Sequence, residues 1–336
     1  MVVNLEQRGY LFDLIKVPIC RLSDFLIGHA EDIEAGTGVT VIIAEKGATG
    51  SVEERGSSPA TRNTAALEPI RGSRCIHAVV LAGGSAFGLS SCDGVMNFLE
   101  SNGIGRDIGV TKIPNVAGAV LFDLLYGDYK IRPNAAMGWL ACENAFARKE
   151  FKEGSFGAGT GATIGKIRGL SNASKGGQGC YALKCGEVYV GAIVAVNAAG
   201  DVLKGDKIIA GALDDTGKTF VSTTREMLKY VDKPSVDLFN PIKLEDGHNT
   251  IIACIITNAK LDKTFAKRIA MQGQNAVART INMPHSSYDG DTIFVMASNS
   301  VEANANVVGI MAMEVITQAI WSAVEHTKGE KGYKNK

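Results

Sequence analysis

Gly247-His248-Asn249-Thr250-Ile251-Ile252-Ala253-Cys254-Ile255-Ile256-Thr257-Asn258-Ala259 joins a polar, turn-forming run directly to an apolar, β-branched one. An apolar run of this length and composition reads as a buried strand. Thr250 is its first residue, so a hydroxyl is carried on a rigid element with a polar loop just before it. That hydroxyl can attack the carbonyl of Asn249 and turn the peptide bond into an ester, which water then splits. Thr250 becomes an N-terminus, and its α-amine, with an ordinary pKa of about 8, lies beside its own hydroxyl. A threonine paired with its own amine is an activated nucleophile. The same residues also admit a plainer reading, a β-branched residue opening a strand.

The 336 residues suffice for one large domain or two ordinary ones, and the absence of repeats, low-complexity tracts or a clean linker favours one compact domain, 1–336. Charged residues are 21% and balance to a formal net charge of zero, which argues against nucleic acid or an anionic membrane as partner. No apolar run reaches the length of a membrane span, and the first residues do not read as a signal peptide. The seven cysteines are scattered, mostly in apolar runs, and read as buried thiols in a reducing cytoplasm, neither disulfides nor metal ligands.

Strands are expected at 37–44, 77–82, 116–123, 187–196, 250–259 and 292–297, and helices from 88 to about 100, at 135–148, near 224–231, at 263–280 and at 304–325. Between them lie four segments with chemical potential. Arg55-Gly56-Ser57-Ser58-Pro59-Ala60-Thr61-Arg62 is a polar loop whose flanking arginines suggest a nearby pocket. Gly83-Gly84-Ser85-Ala86-Phe87-Gly88 is a strand-to-helix turn of small residues, either a packing turn or a substrate loop. It lacks the dinucleotide and P-loop patterns and the G-x-S-x-G spacing of a nucleophile elbow. The glycine-dense run 157–166 ends in Lys166, which by itself reads as a solvated surface lysine. Asn197 ends a buried strand, as a turn former or as an amide donor to an oxyanion. His285-Ser286-Ser287-Tyr288-Asp289-Gly290-Asp291 is a turn rich in hydroxyls and carboxylates, either a hairpin turn or a group that orients the nucleophile.

Taken in order, these pieces resemble the P1 family of peptidases, which includes D-aminopeptidase/esterases, β-peptidyl aminopeptidases and 6-aminohexanoate-oligomer (nylon-oligomer) hydrolases. The likeness runs from about residue 22 to 324. It is carried by residues 37–40, 55–62, 81–89, 157–163 and 194–198, by Asn249-Thr250 and by Asp289-Gly290-Asp291-Thr292. It implies an α/β fold, a four-layer αββα sandwich of the DmpA/ArgJ-like type, as an N-terminal-nucleophile hydrolase. It also implies self-cleavage into an α chain, 1–249, and a β chain, 250–336, that assemble as αβ units into tetramers or larger forms. By the resemblance Thr250 is the nucleophile, Asn197 helps to hold the oxyanion, Ser287 and Asp289 orient the nucleophile and its amine, and Lys166 lies near the nucleophile. Two positions depart from the family. Trp139 and Phe122 stand where branches of the family carry a tyrosine, so recognition of the substrate at these positions differs.

The combined reading is a self-processing amidohydrolase acting on short peptides or amides, with Thr250, Asn197, Ser287, Asp289 and Lys166 as its catalytic set. Trp139, Phe122, Gly84 and Ser85 are expected at the substrate, and neither cofactor nor metal is required. Alternatives are hydrolysis of ω-amino-acid oligomers, acyl transfer like that of ornithine/glutamate N-acetyltransferases, and a non-catalytic binding protein.

Overall fold

The computed structural model describes residues 14–73, 75–232 and 249–327. The polar run before Asn249 and the basic tail 329–336 lie outside the described residues.

Strand Thr250–Ala259 is the middle of the architecture. It pairs antiparallel with Val188–Asn197 on one side and parallel with Thr292–Val301 on the other. Gly177–Cys185 adds beyond Val188–Asn197, a strand that the sequence reading did not anticipate among its glycines. Successive side chains alternate between two buried faces. Ile251, Ala253 and Ile255 meet helices Lys263–Thr280 and Ala305–Glu325, while Ile252, Cys254 and Ile256 meet the second sheet. A strand covered on both faces has no polar side, which is why it reads as a continuous apolar run.

The second sheet is built on the first half of Thr37–Glu54, paired with Leu26–Asp32 and Ile76–Ala82, with Val116–Val120 parallel to the latter. Helices Ser91–Ser101 and Ala135–Phe146 cover its outer face through Cys92, Val95, Leu99, Ala141 and Ala145. The layers therefore run helix, sheet, sheet, helix, as the resemblance implied.

Thr37–Glu54 is longer than the expected 37–44 because it belongs to both sheets. After residue 43 its register shifts, Gly47 turns through φ +76°, and residues 49–54 pair with Thr292–Ala297. Helix starts follow local chemistry: the carboxylate of Asp262 accepts from Phe265 N–H at 2.7 Å, and the amide oxygen of Asn134 accepts from Met137 N–H at 3.0 Å.

Two expectations change. Helix Ala305–Glu325 is long and apolar enough to cross a membrane by length and composition, yet Val308, Met311, Val315, Ile316 and Ile320 are buried in the layer it forms with the first sheet. Of the seven cysteines only Cys92, Cys142 and Cys254 are buried, and Cys20 is exposed, in the short 3-10 helix Ile19–Arg21, which buries none of its residues.

Candidate functional site

The ladder places Asn197, last residue of its strand, directly opposite Thr250, first residue of the next. One residue earlier, Asn249 bridges to Asp289 in parallel fashion. Asn197, Asn249, Thr250 and Asp289 thus meet at one end of the sheet, and all four are buried.

The bond between Asn249 and Thr250 is closely surrounded. The Thr250 hydroxyl donates to the Asn249 carbonyl oxygen. Gly290 N–H donates to the same oxygen at 2.9 Å, and Asn249 N–H donates to the Tyr288 carbonyl at 3.2 Å. Gly290 has to be small here, since a Cβ on it would stand 2.9 Å from Thr250 Oγ1 and 3.0 Å from the Ser58 carbonyl oxygen.

Lys166 is not a surface lysine. Its Nζ is buried and donates to Asn249 Oδ1 at 2.8 Å, Asn197 Oδ1 at 3.0 Å and the Asn197 carbonyl at 3.1 Å. Gly165 brings it there at φ +74°, where a Cβ would stand 2.0 Å from the Ala212 nitrogen. Thr163 N–H also donates to Asn197 Oδ1, at 2.9 Å. Two donors aimed at one atom fix the amide orientation, so Nδ2 faces the Phe122 carbonyl at 3.0 Å.

The 285–291 turn is gripped by the 55–62 loop. Ser57 and Ser58 hydroxyls donate to the carbonyls of Ser286 and Ser287 at 3.1 and 3.0 Å, and Ser58 N–H to that of Asp289 at 2.9 Å. A Cβ on Gly56 would stand 2.2 Å from the Asp289 carbonyl oxygen. The loop is at the site through its serines and glycine. Its arginines are engaged elsewhere, Arg55 with Glu53 at 3.2 Å and Arg62 with Asp93 at 2.5 Å.

Burial, and then the neighbouring charge of Asp291, push the Asp289 carboxyl up to about 6, against the pull of Ser286 and Lys166. Ser286 N–H donates to Asp289 Oδ2 at 2.7 Å. Ser287, the serine singled out by sequence, is exposed and touches this network through its carbonyl. In an alternating extended segment 287 and 289 would share a face, but the turn after Ser286 folds that neighbour onto the carboxylate instead.

Two clefts flank Lys166. One, a narrow one, is lined by Ile167, Met227, Asn249, Met283 and Tyr288 among others. The second, equally narrow, includes Phe122, Asp123, Gly161 and Thr163. Phe122 is therefore at the site, through the cleft it helps to line and through its carbonyl. Trp139 lines neither cleft: it packs edge-on against Phe98 and donates to Glu143 at 3.0 Å in the helical layer. Gly84 binds a buried acid, and Ser85 binds the chain just before that acid. Gly84 N–H and the Thr37 hydroxyl donate to Asp123 at 2.7 Å each, and Ser85 N–H donates to the Leu121 carbonyl at 2.9 Å. Burial raises the Asp123 carboxyl to about 6.

The sequence assigns no role to Asp123, Ser286, Tyr288 or Gly290, and reads Asp291 with Ser287 and Asp289 as either a hairpin turn or a group that orients the nucleophile. An acid ending an apolar strand, and a second acid two residues from Asp289, were the available signals. No group of three or more metal-ligating side chains converges among the described residues.

Comparison with known proteins adds a family. The model described as Peptidase family S58 matches residues 19–336. An uncharacterized aminopeptidase of Mycobacterium leprae is 36% identical over 304 residues, covering 85% of this chain and 80% of its own length. A 6-aminohexanoate-oligomer endohydrolase of Paenarthrobacter ureafaciens is 27% identical over 312 residues, covering 88% and 83%. Among solved structures, the L-aminopeptidase D-Ala-esterase/amidase of Ochrobactrum anthropi superposes with a TM-score of 0.68 at 17% identity, over 97% of this chain and 92% of that one. A β-aminopeptidase of a Burkholderia species gives 0.62 at 18%, over 93% and 88%. At these identities the structural likeness bears on the fold, described for the Ochrobactrum enzyme as a variant of the Ntn-hydrolase fold.

Proposed function

The chain belongs to peptidase family S58, and from that membership we propose that it is an amidohydrolase that cleaves itself between Asn249 and Thr250 and then hydrolyses amide bonds of short peptides with Thr250. The observation that carries the reading is the meeting of the Thr250 hydroxyl and Gly290 N–H on the Asn249 carbonyl oxygen.

In the first step Thr250 Oγ1 adds to the Asn249 carbonyl carbon while Gly290 N–H holds the developing oxyanion. The hydroxyl proton ends on the departing Thr250 nitrogen, the C–N bond breaks, and an ester remains. Water hydrolyses the ester, leaving a carboxylate on Asn249 and a free amine on Thr250. Lys166 keeps the Asn249 side chain in place throughout.

In the second phase the Thr250 amine takes the hydroxyl proton as Oγ1 attacks a substrate amide, and returns it to the leaving amine. Asp289 orients the freed amine. Asn197 supplies an amide N–H to the substrate oxyanion, its orientation held by Thr163 and Lys166. Water then releases the acyl group. Relatives named as aminopeptidases and 6-aminohexanoate-oligomer hydrolases support this class of substrate.

The two chains stay together as one folding unit in this reading, because Thr250–Ala259 has paired strands on both sides. The αβ units assemble further, in the cytoplasm, where unpaired cysteines remain reduced. Intact-mass measurement of the purified protein tests the core of the proposal. Two fragments ending at Asn249 and beginning at Thr250 are expected, and a chain that stays whole under mild conditions would overturn it.

A further inference from the structure

Lys175 is 1% exposed, and no step proposed for Thr250 uses its charge. It lies in the short strand Ser174–Lys175, opposite Thr163 in an antiparallel pair with Thr163–Ile164. An ammonium inside a protein is costly unless its donors are met. Here Nζ donates to the carbonyls of Gly176 at 2.8 Å, Ala162 at 3.0 Å and Gly159 at 3.1 Å, and it stands 5.0 Å from the centre of the Tyr126 ring. Two of those carbonyls belong to the glycine-dense run that ends in Lys166. Residues 157–166 are all buried and four of the ten are glycines, so the run has few side chains of its own to fix it.

The Ala162 carbonyl leads to the site. Ala162 C=O and Thr163 N–H are the two ends of one planar trans peptide group, and they point in opposite directions. Lys175 Nζ at 3.0 Å and Gly176 N–H at 2.8 Å hold the oxygen. The N–H at the other end donates to Asn197 Oδ1 at 2.9 Å. Whatever fixes the oxygen therefore aims the N–H.

We propose that Lys175 is a positioning residue for the reaction at Thr250: its ammonium fixes the Ala162–Thr163 peptide group, which sets the Asn197 amide and carries Lys166 to its place three residues on. The proposal rests on the Thr250 reading above, in which Asn197 meets the substrate oxyanion. The other side of the run is closed by Asp123. A Cβ on Gly161 would stand 2.6 Å from Asp123 Cβ and 2.1 Å from the Gly36 carbonyl oxygen. The charge of Lys175 reaches that acid, so the run lies between a buried cation and a buried carboxyl, and the cation bonds it directly. A lysine that only filled space would give way to methionine at little cost to the reaction.

The test is a double-mutant cycle on kcat for a dipeptide amide, per processed enzyme, with Lys175→Met and Asn197→Ala singly and together. Methionine keeps an apolar stem and removes the donors. Lys175→Met alone should lower kcat by about 30-fold, within the scale of a group misplaced from a distance, with KM within about twofold, because the Asn197 N–H acts on the transition state. Asn197→Ala alone should lose about 100-fold or more. In that background Lys175 has no amide left to aim, so Lys175→Met should cost no more than about threefold further, where independent losses would multiply. Lys175→Gln keeps two donors on a shorter stem and should lose about tenfold; it replaces Lys175→Met in the cycle if the latter does not fold. If neither variant processes, the cycle is run on self-cleavage of the purified precursor against Lys166→Met, with the same lack of additivity expected. Losses that multiply, or a rate within twofold of the parent in the variant read, overturn the role of Lys175. A parent that never cleaves at Thr250 overturns the underlying reading instead, and the two failures are thus distinct.

Discussion

Lys166 Nζ stands 2.8 Å from Oδ1 of Asn249, so a buried ammonium holds the side chain immediately before the proposed cut. The same nitrogen holds both oxygens of Asn197, which faces Thr250 across the ladder. Lys166→Met keeps the length of the stem and removes the three donors. Self-cleavage should slow by about 100-fold, the scale of one lost positioning group. A time course of chain masses after refolding reads it, and cleavage at the parent rate would leave Lys166 with a packing role alone.

Gly290 offers a test of the precursor site that spares every polar side chain. In Gly290→Ala the new methyl would press on Thr250 Oγ1 and the Ser58 carbonyl, and the N–H at the Asn249 carbonyl would have to shift. Loss of one oxyanion donor commonly costs on the order of 100- to 1000-fold. We expect a whole chain at times when the parent is fully cut, with an unchanged far-UV circular dichroism spectrum. Rapid cleavage of this variant would remove the oxyanion role from that amide.

Asp123 predicts a dependence of stability on pH. Its carboxyl is raised to about 6, so the folded chain keeps a proton that the unfolded chain releases near pH 4. Folding then takes up a proton between these values, and stability falls as pH rises from about 4 to 6. Asp289 acts with the same sign. Asp123→Asn cannot ionise, so relative to the parent it should gain about 2 kcal/mol between pH 4.5 and 7.5, the size of a shift of about two pH units. Urea midpoints at the two pH values decide this, and parallel parent and variant curves would mean that Asp123 titrates normally.

How much of this was legible depends on whether neighbours in sequence or neighbours in space set the property. The Thr250 strand was legible because Ile251, Ile252, Ile255 and Ile256 carry their own preference, and burial on both faces only continues it. Lys166 was legible only through the resemblance, because its three acceptors lie on residues 31 and 83 positions away and the glycines before it carry no pattern. Trp139 shows the opposite error. A family position said that it should meet substrate, whereas its indole fills the gap between two helices against Phe98. Asp289 and Asn197 came from the resemblance, and the structure adds what the motif could not, namely that Ser286 and not Ser287 touches the acid.

Thr250 decides the functional reading. Cleavage needs a hydroxyl at this position, and catalysis needs that hydroxyl together with the amine that cleavage releases. Thr250→Ala should therefore stay a single chain and hydrolyse no amide. Thr250→Ser keeps the oxygen but loses the methyl that restricts the side-chain rotamer, so it should still cleave, more slowly, and retain part of the activity. N-terminal sequencing of the small fragment should read Thr-Ile-Ile-Ala-Cys, residues 250–254. A fragment beginning elsewhere, or an alanine variant that cuts and turns over like the parent, would place the nucleophile on another residue.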